Sequence, residues 1–194
     1  MKLVLAAGHT PDFPGCSKNG VFEHQTCASI TKALLKKLRA NRDVDVYEVG
    51  GKLHDKVDKI NCIDPDCAVE VHLGNTNTNL TGARAFYSDG GNSRQLAESL
   101  LDGCEHTLHS ESRWSGIGWF KKITPAQVQA GKFSGHICKV DLLLSKTMCD
   151  AVIIEPYYIS SRDDVERFKN NPDLVASAIY EGLIQYNQRF LEAA

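Results

Sequence analysis

Three apolar runs in this 194-residue sequence end in side chains suited to chemistry. His9 follows Leu3–Ala7, His72 closes Cys67–Val71, and Glu155 follows Val152-Ile153-Ile154. A fourth such residue, Glu23, stands where the Gly-, Pro-, Ser- and Asn-rich stretch Pro11–Gly20 gives way to an amphipathic segment. Two histidines and two carboxylates are the components of a hydrolytic zinc site. Three neutral or anionic ligands hold the metal and leave one position for water, and the remaining carboxylate moves protons. The spacing also admits a plainer reading. No two of the four share a helix face at the i, i+4 interval of a local metal motif. The histidines then read as hydrogen-bonded strand-end residues, and Glu23 as a first-turn acid favoured by the helix dipole.

The elements that must position these residues alternate between strand and helix. Strands are predicted over Leu3–Ala7, Asp43–Val49, Cys67–Leu73, Ala83–Tyr87, Val140–Leu144 and Ala151–Ile154. Helices are predicted over Phe22–Leu38, Lys52–Ile60, Ser93–Leu108 and Pro172–Phe190, each with apolar residues three and four apart. Gly74–Gly82 reads as a loop, and His109–Gly135, which carries Trp114 and Trp119, has no clean period. The pattern predicts an α/β fold: a single three-layer domain over residues 1–194, with a mostly parallel twisted sheet flanked by helices. In such sheets ligands collect outside the carboxyl ends of the strands, where His9, His72 and Glu155 fall.

Composition narrows the function classes. Hydrophobic residues at 42% and charged residues at 24% exclude a disordered chain, and a net charge of -2 argues against a basic nucleic-acid surface. Seven cysteines, none in a C-x-x-C pair, read as reduced thiols and not as a disulfide scaffold. Leu3–Ala7 is shorter than the roughly 7–15 residues of a secretory apolar region, and no run reaches the ~18–20 of a membrane span. The expectation is synthesis in the cytoplasm without a signal peptide and without stable membrane insertion.

The order of short motifs adds a family resemblance. Leu-Ala-Ala-Gly-His9, Gly20-Val-Phe-Glu23 and Val69-Glu-Val-His72 resemble the zinc-dependent N-acetylmuramoyl-L-alanine amidases of the type-3 family. Gly82-Ala-Arg-Ala-Phe-Tyr87 is similar to that family's Gly-x-x-x-aromatic-Tyr strand, and Ser93-Arg-Gln-Leu-Ala to its Ser-x-x-Leu-Ala helix. Ala151-Val-Ile-Ile-Glu155-Pro-Tyr-Tyr-Ile-Ser160 is similar to its Leu-x-Glu-x-Gly-Phe-Leu-Ser stretch. The resemblance implies one zinc per chain held by His9, Glu23 and His72, with Glu155 as the catalytic carboxylate. It implies a peptidoglycan substrate, cleaved between N-acetylmuramic acid and L-alanine. With no export signal expected, the chain resembles an endolysin that reaches the wall after release, through a holin if phage-encoded, or a mother-cell lytic amidase of a spore former; a monomer is expected.

Two departures bear on detail. The family's Ser-x-His-x-Asn appears as Glu70-Val-His72-Leu-Gly74, with Asn75 one place later, and Tyr157-Tyr158 replaces Gly-Phe. Glu70 shares a strand face with His72 and reads either as an outer carboxylate orienting that ligand or as an edge charge. Glu70, Asn75, Arg84, Trp114, Trp119 and His136 are candidate substrate contacts: Arg84 for a carboxylate, the tryptophans as a stacking wall, His136 from the aperiodic segment. Their plainer readings are an exposed strand arginine, local packing and a loop histidine. Two other functions remain open: hydrolysis of small N-acyl amino acids or glutamyl peptides with the same metal set, and a non-catalytic wall-binding module.

Overall fold

The computed structural model describes residues 1–77, 80–88, 91–109, 119–122 and 137–191. Trp114 and His136 lie outside the described residues. Strand β1 (Lys2–Ala7) leads into a loop and a small hairpin of β2 (Ser17–Lys18) and β3 (Val21–Phe22). Asn19 and Gly20 link the hairpin with φ of 52° and 75°, the two positive values that a two-residue turn between twisted strands requires. Helix α1 (Glu23–Arg39) begins at once, with Glu23 as its first residue and Lys36, Lys37 and Arg39 in its last turn. That charge order suits the helix dipole at both ends.

Then follow β4 (Asp45–Val49), α2 (Leu53–Ile63), β5 (Cys67–Val71), β6 (Arg84–Tyr87), α3 (Ser93–Leu108) and β7 (Trp119–Lys122). The chain continues through α4 (Ile137–Lys146), β8 (Asp150–Glu155), α5 (Arg162–Phe168) and α6 (Pro172–Tyr186), and closes in a π turn over Asn187–Leu191.

Among the described residues, six strands form one sheet in the order β4-β1-β5-β8-β6-β7. The first four run parallel, β6 is antiparallel to β8, and β7 runs parallel to β6. Strands β5 and β8 are buried on both faces, as parallel strands covered by helices must be. One face carries the larger core, where α1, α3 and α6 bring Leu34, Leu100 and Ile179 against Leu3, Val69 and Val152. The other face carries a smaller core of Val4, Ala68 and Ile153 under Ile60 of α2 and Leu143 of α4. The three layers and the mostly parallel sheet match the sequence reading. No helix among the described residues is long and apolar enough to cross a membrane.

One local expectation is corrected, and one element is added. Val140–Leu144, predicted as a strand, lies within α4, and the short helix α5 was not foreseen. A five-residue apolar run cannot distinguish a buried strand from one face of a helix. In α4, Leu143 and Leu144 supply the cover for the second sheet face.

The strand order is what assembles the site. Adjacency of β1, β5 and β8 pairs Ala7 with Val71 and Val71 with Ile154, so the residues just beyond each carboxyl end emerge side by side. Because β6 runs the other way, it starts at that same edge, and its first residue, Arg84, pairs with Glu155.

Candidate active site

His9 lies two residues past β1 with φ of 66°, a left-handed conformation uncommon outside glycine, in which asparagine, aspartate and histidine are enriched. The Gly8 amide donates to the Val71 carbonyl at 2.8 Å and so extends the ladder to the residue before His9. Glu23 is held from two directions. Its amide donates to the Cys16 carbonyl at 3.0 Å, while its Oε2 accepts from the Cys16 amide at 2.9 Å and its Oε1 from the Leu73 amide at 3.2 Å. Gly15 completes this wall: its φ is 74°, and a Cβ there would stand 2.6 Å from both Glu23 Oε2 and the His9 ring.

The carboxylate and both imidazoles converge. Glu23 Oε1 lies 2.9 Å from His9 Nε2 and 3.3 Å from His72 Nδ1. One ligand atom from each of His9, Glu23 and His72 falls within 4.8 Å of the others. Two imidazole nitrogens and one carboxylate oxygen, in a nearly buried cluster, are a donor set that fits a divalent metal with an open coordination position. Burial alone would raise the Glu23 pKa, but contacts with His72 and His9 outweigh it and hold the carboxyl well below the usual range. Burial would lower the His72 pKa, yet Glu70 and Glu23 push it up to about 10.

Glu155, the last residue of β8, is 7% exposed. Burial raises its pKa, and the Arg84 guanidinium opposes that rise. Arg84 donates from Nε at 2.6 Å and lies 2.5 Å away at Nη2, both toward Oε2. Its guanidinium carbon stands 4.7 Å from the Phe86 ring centre and 5.4 Å from that of Tyr158, a cation–π setting that fixes its direction.

A family model described as N-acetylmuramoyl-L-alanine amidase (Amidase_3) matches residues 3–185. The chain belongs to this amidase family. Its activity is hydrolysis of a peptidoglycan amide bond. The fold agrees with solved members. An N-acetylmuramoyl-L-alanine amidase from Clostridium difficile 630 superposes with a TM-score of 0.80 at 19% identity, covering 97% of each chain. The amidase AmiC2 of Nostoc punctiforme gives 0.79 at 18% identity, covering 97% of this chain and 98% of its own. The catalytic domain of an endolysin targeting Clostridia difficile gives 0.71 at 19% identity, covering 95% and 97%. No curated protein shows significant sequence similarity to the chain.

The remaining candidates in the amidase are placed unevenly. Glu70 is buried, with Oε2 at 3.2 Å from His72 Nε2, so it faces the histidine and not solvent. Its other oxygen meets Lys56 Nζ at 2.5 Å, a buried lysine on α2 that the sequence reading missed. A lysine at an inward helical position beside Val57 and Ile60 was the available signal. Asn75 is solvent-exposed. Trp119 lies on β7 in register with Arg84.

The amidase's two departures from the family pattern meet in space. Gly74 exchanges backbone bonds with Tyr157 and Ile159, and the Tyr158 ring fills the position where a Gly74 side chain would begin. An asparagine at 74 has no room beside Tyr158.

Proposed function

We propose that the amidase works with one zinc ion held by His9, Glu23 and His72, and that Glu155 is its proton-transferring carboxylate. The bond cleaved is the amide between the lactyl carbonyl of N-acetylmuramic acid and L-alanine in peptidoglycan. The observation that carries this reading is the convergence of His9, Glu23 and His72 within 4.8 Å, beside a buried carboxylate on the next strand. An endolysin-like role on the cell wall belongs to the same reading, and the likeness to an endolysin catalytic domain supports it.

The chain's own residues divide the work. An amide is a poor electrophile, and its nitrogen leaves only when protonated. When bound, zinc supplies Lewis acidity to a carbonyl oxygen and acidifies water. Glu155 takes a proton from the attacking water and returns it to the departing nitrogen. Arg84 occupies Oε2 of Glu155, which leaves Oε1 as the oxygen that moves the proton. Burial strengthens Glu155 as a base, while the Arg84 charge favours its carboxylate form. Glu23 contributes one negative charge to the metal site, so two neutral histidines and one carboxylate leave the centre net positive.

The test is digestion of purified sacculi, followed by loss of turbidity and labelling of new amino groups. The expected product carries a free N-terminal alanine. Cleavage that exposes other amino groups, or activity confined to soluble N-acyl amino acids, would contradict this assignment. Binding to sacculi without cleavage would make the chain a wall-binding module.

A further inference from the structure

One buried ammonium connects the two strands that bear the histidines. Lys56 is 3% exposed on α2, below the second face of the sheet. Its Nζ donates to the carbonyl of Ala7, the last residue of β1, at 2.6 Å. The same Nζ meets Glu70 Oε1 on β5 at 2.5 Å. Ala7 precedes His9 by two residues, and Glu70 precedes His72 by two. The second oxygen of Glu70 lies 3.2 Å from His72 Nε2. A continuous path therefore runs from the end of β1, through Lys56 and Glu70, to the face of the His72 ring opposite Glu23.

Packing alone does not account for a lysine here. Its neighbours on the helix, Val57 and Ile60, are buried, Ile60 in the apolar core, and a buried ion pair replaced by apolar side chains of similar volume is often neutral or stabilising. Orientation does account for it. In the neutral form a metal ligand must take, a histidine that donates from Nε2 to a carboxylate presents an unprotonated Nδ1, and it is Nδ1 that faces Glu23. A carboxylate held at only one oxygen can rotate off the ring. Held by Lys56 at the other oxygen, Glu70 cannot, and the bond to Ala7 fixes the lysine in turn.

We propose that Lys56 is a positioning residue for the metal centre, holding Glu70 against His72 Nε2 and tying the end of β1 to the end of β5. The proposal rests on the reading that His9, Glu23 and His72 bind zinc. The strut acts before any substrate arrives, so its effect appears in metal binding itself.

The experiment measures zinc affinity by competition with a chromogenic chelator for wild type, Lys56→Met and the charge-neutral pair Lys56→Met/Glu70→Leu. Melting of the metal-free proteins and the visible spectrum of the cobalt-substituted forms are recorded alongside. Both variants are expected to bind zinc about 10–100-fold more weakly, in the range for loss of a partner that orients a ligand. The double variant is expected to melt near wild type when metal-free and to show an altered cobalt spectrum. If Lys56→Met does not fold, the double variant decides. Wild-type zinc affinity in a folded variant overturns the proposal. So does failure of both variants to fold, which would make the contact purely structural. Wild type that binds no zinc overturns the underlying metal reading instead, and that outcome is visible without any variant.

Discussion

Arg84 grips a single oxygen of Glu155: its Nε lies 2.6 Å and its Nη2 2.5 Å from Oε2. The pairing follows from topology, since antiparallel β6 starts where β8 ends and sets the two residues opposite each other. A permanent positive charge on one oxygen favours the carboxylate form and so lowers the Glu155 pKa against the rise due to burial. Removing that charge in Arg84→Met must therefore move the pKa upward. A base works only when deprotonated, so the acid limb of kcat/KM is expected to shift to higher pH. Activity should fall more at pH 6 than at pH 8. A pH–rate profile with an unmoved acid limb would remove Arg84 from this role.

Glu155→Gln keeps the volume and an oxygen for Arg84 but cannot accept a proton. Turnover on sacculi is expected to fall by about 10²–10⁴, the usual worth of a positioned acid–base group. Zinc content should stay as in wild type, because Glu155 is not among the converging ligands. Near-normal turnover would exclude Glu155 as the base.

Gly15 and Gly20 form a matched pair for testing the wall around Glu23. Both have φ near 75°, where a side chain costs about 1–2 kcal/mol. A Cβ at Gly15 would also stand 2.6 Å from Glu23 Oε2 and His9, whereas nothing lies within 4 Å of a Cβ at Gly20. Gly15→Ala is expected to lose zinc affinity as well as stability, and Gly20→Ala stability alone. Equal zinc titrations for the two variants would show that this wall does not shape the ligand set.

Much of this arrangement was legible in the sequence because buried parallel strands leave a strong mark. Cys67–Leu73 and Ala151–Ile154 read as strands from their apolar residues, and their carboxyl ends located His72 and Glu155. Strand order was not legible, since no periodicity states that β8 lies between β5 and β6 or that β6 is reversed. The Arg84–Glu155 pair depends on both facts and could not have been foreseen. Lys56 escaped for another reason: a charged residue on an amphipathic helix ordinarily faces water, and only tertiary contact with Glu70 and Ala7 turns this one inward.

Asp164 supplies a pH dependence of stability away from the chemistry. Its Oδ2 accepts from the Gly82 amide at 3.1 Å and the Tyr158 amide at 3.0 Å, joining the segment before Arg84 to the one after Glu155. Burial pushes its pKa up from 3.8 to about 6. The folded state thus binds this proton more tightly than the unfolded chain does. The resulting stability is fully present below pH 3.8 and is lost as pH rises through about 6. Between pH 4 and pH 7, wild type should lose about 2 kcal/mol relative to Asp164→Asn, which cannot titrate. Denaturant melts of both proteins across that range check this, and a constant difference would contradict it.

The most direct test of the central claim is metal analysis of the purified protein, before and after chelation and readdition of zinc. One zinc per chain is expected, with hydrolysis of sacculi lost on its removal and restored on its return. His72→Ala should bind no stoichiometric zinc. A wild-type protein that holds no zinc, or that digests sacculi undiminished in chelator, would contradict the assignment of His9, Glu23 and His72.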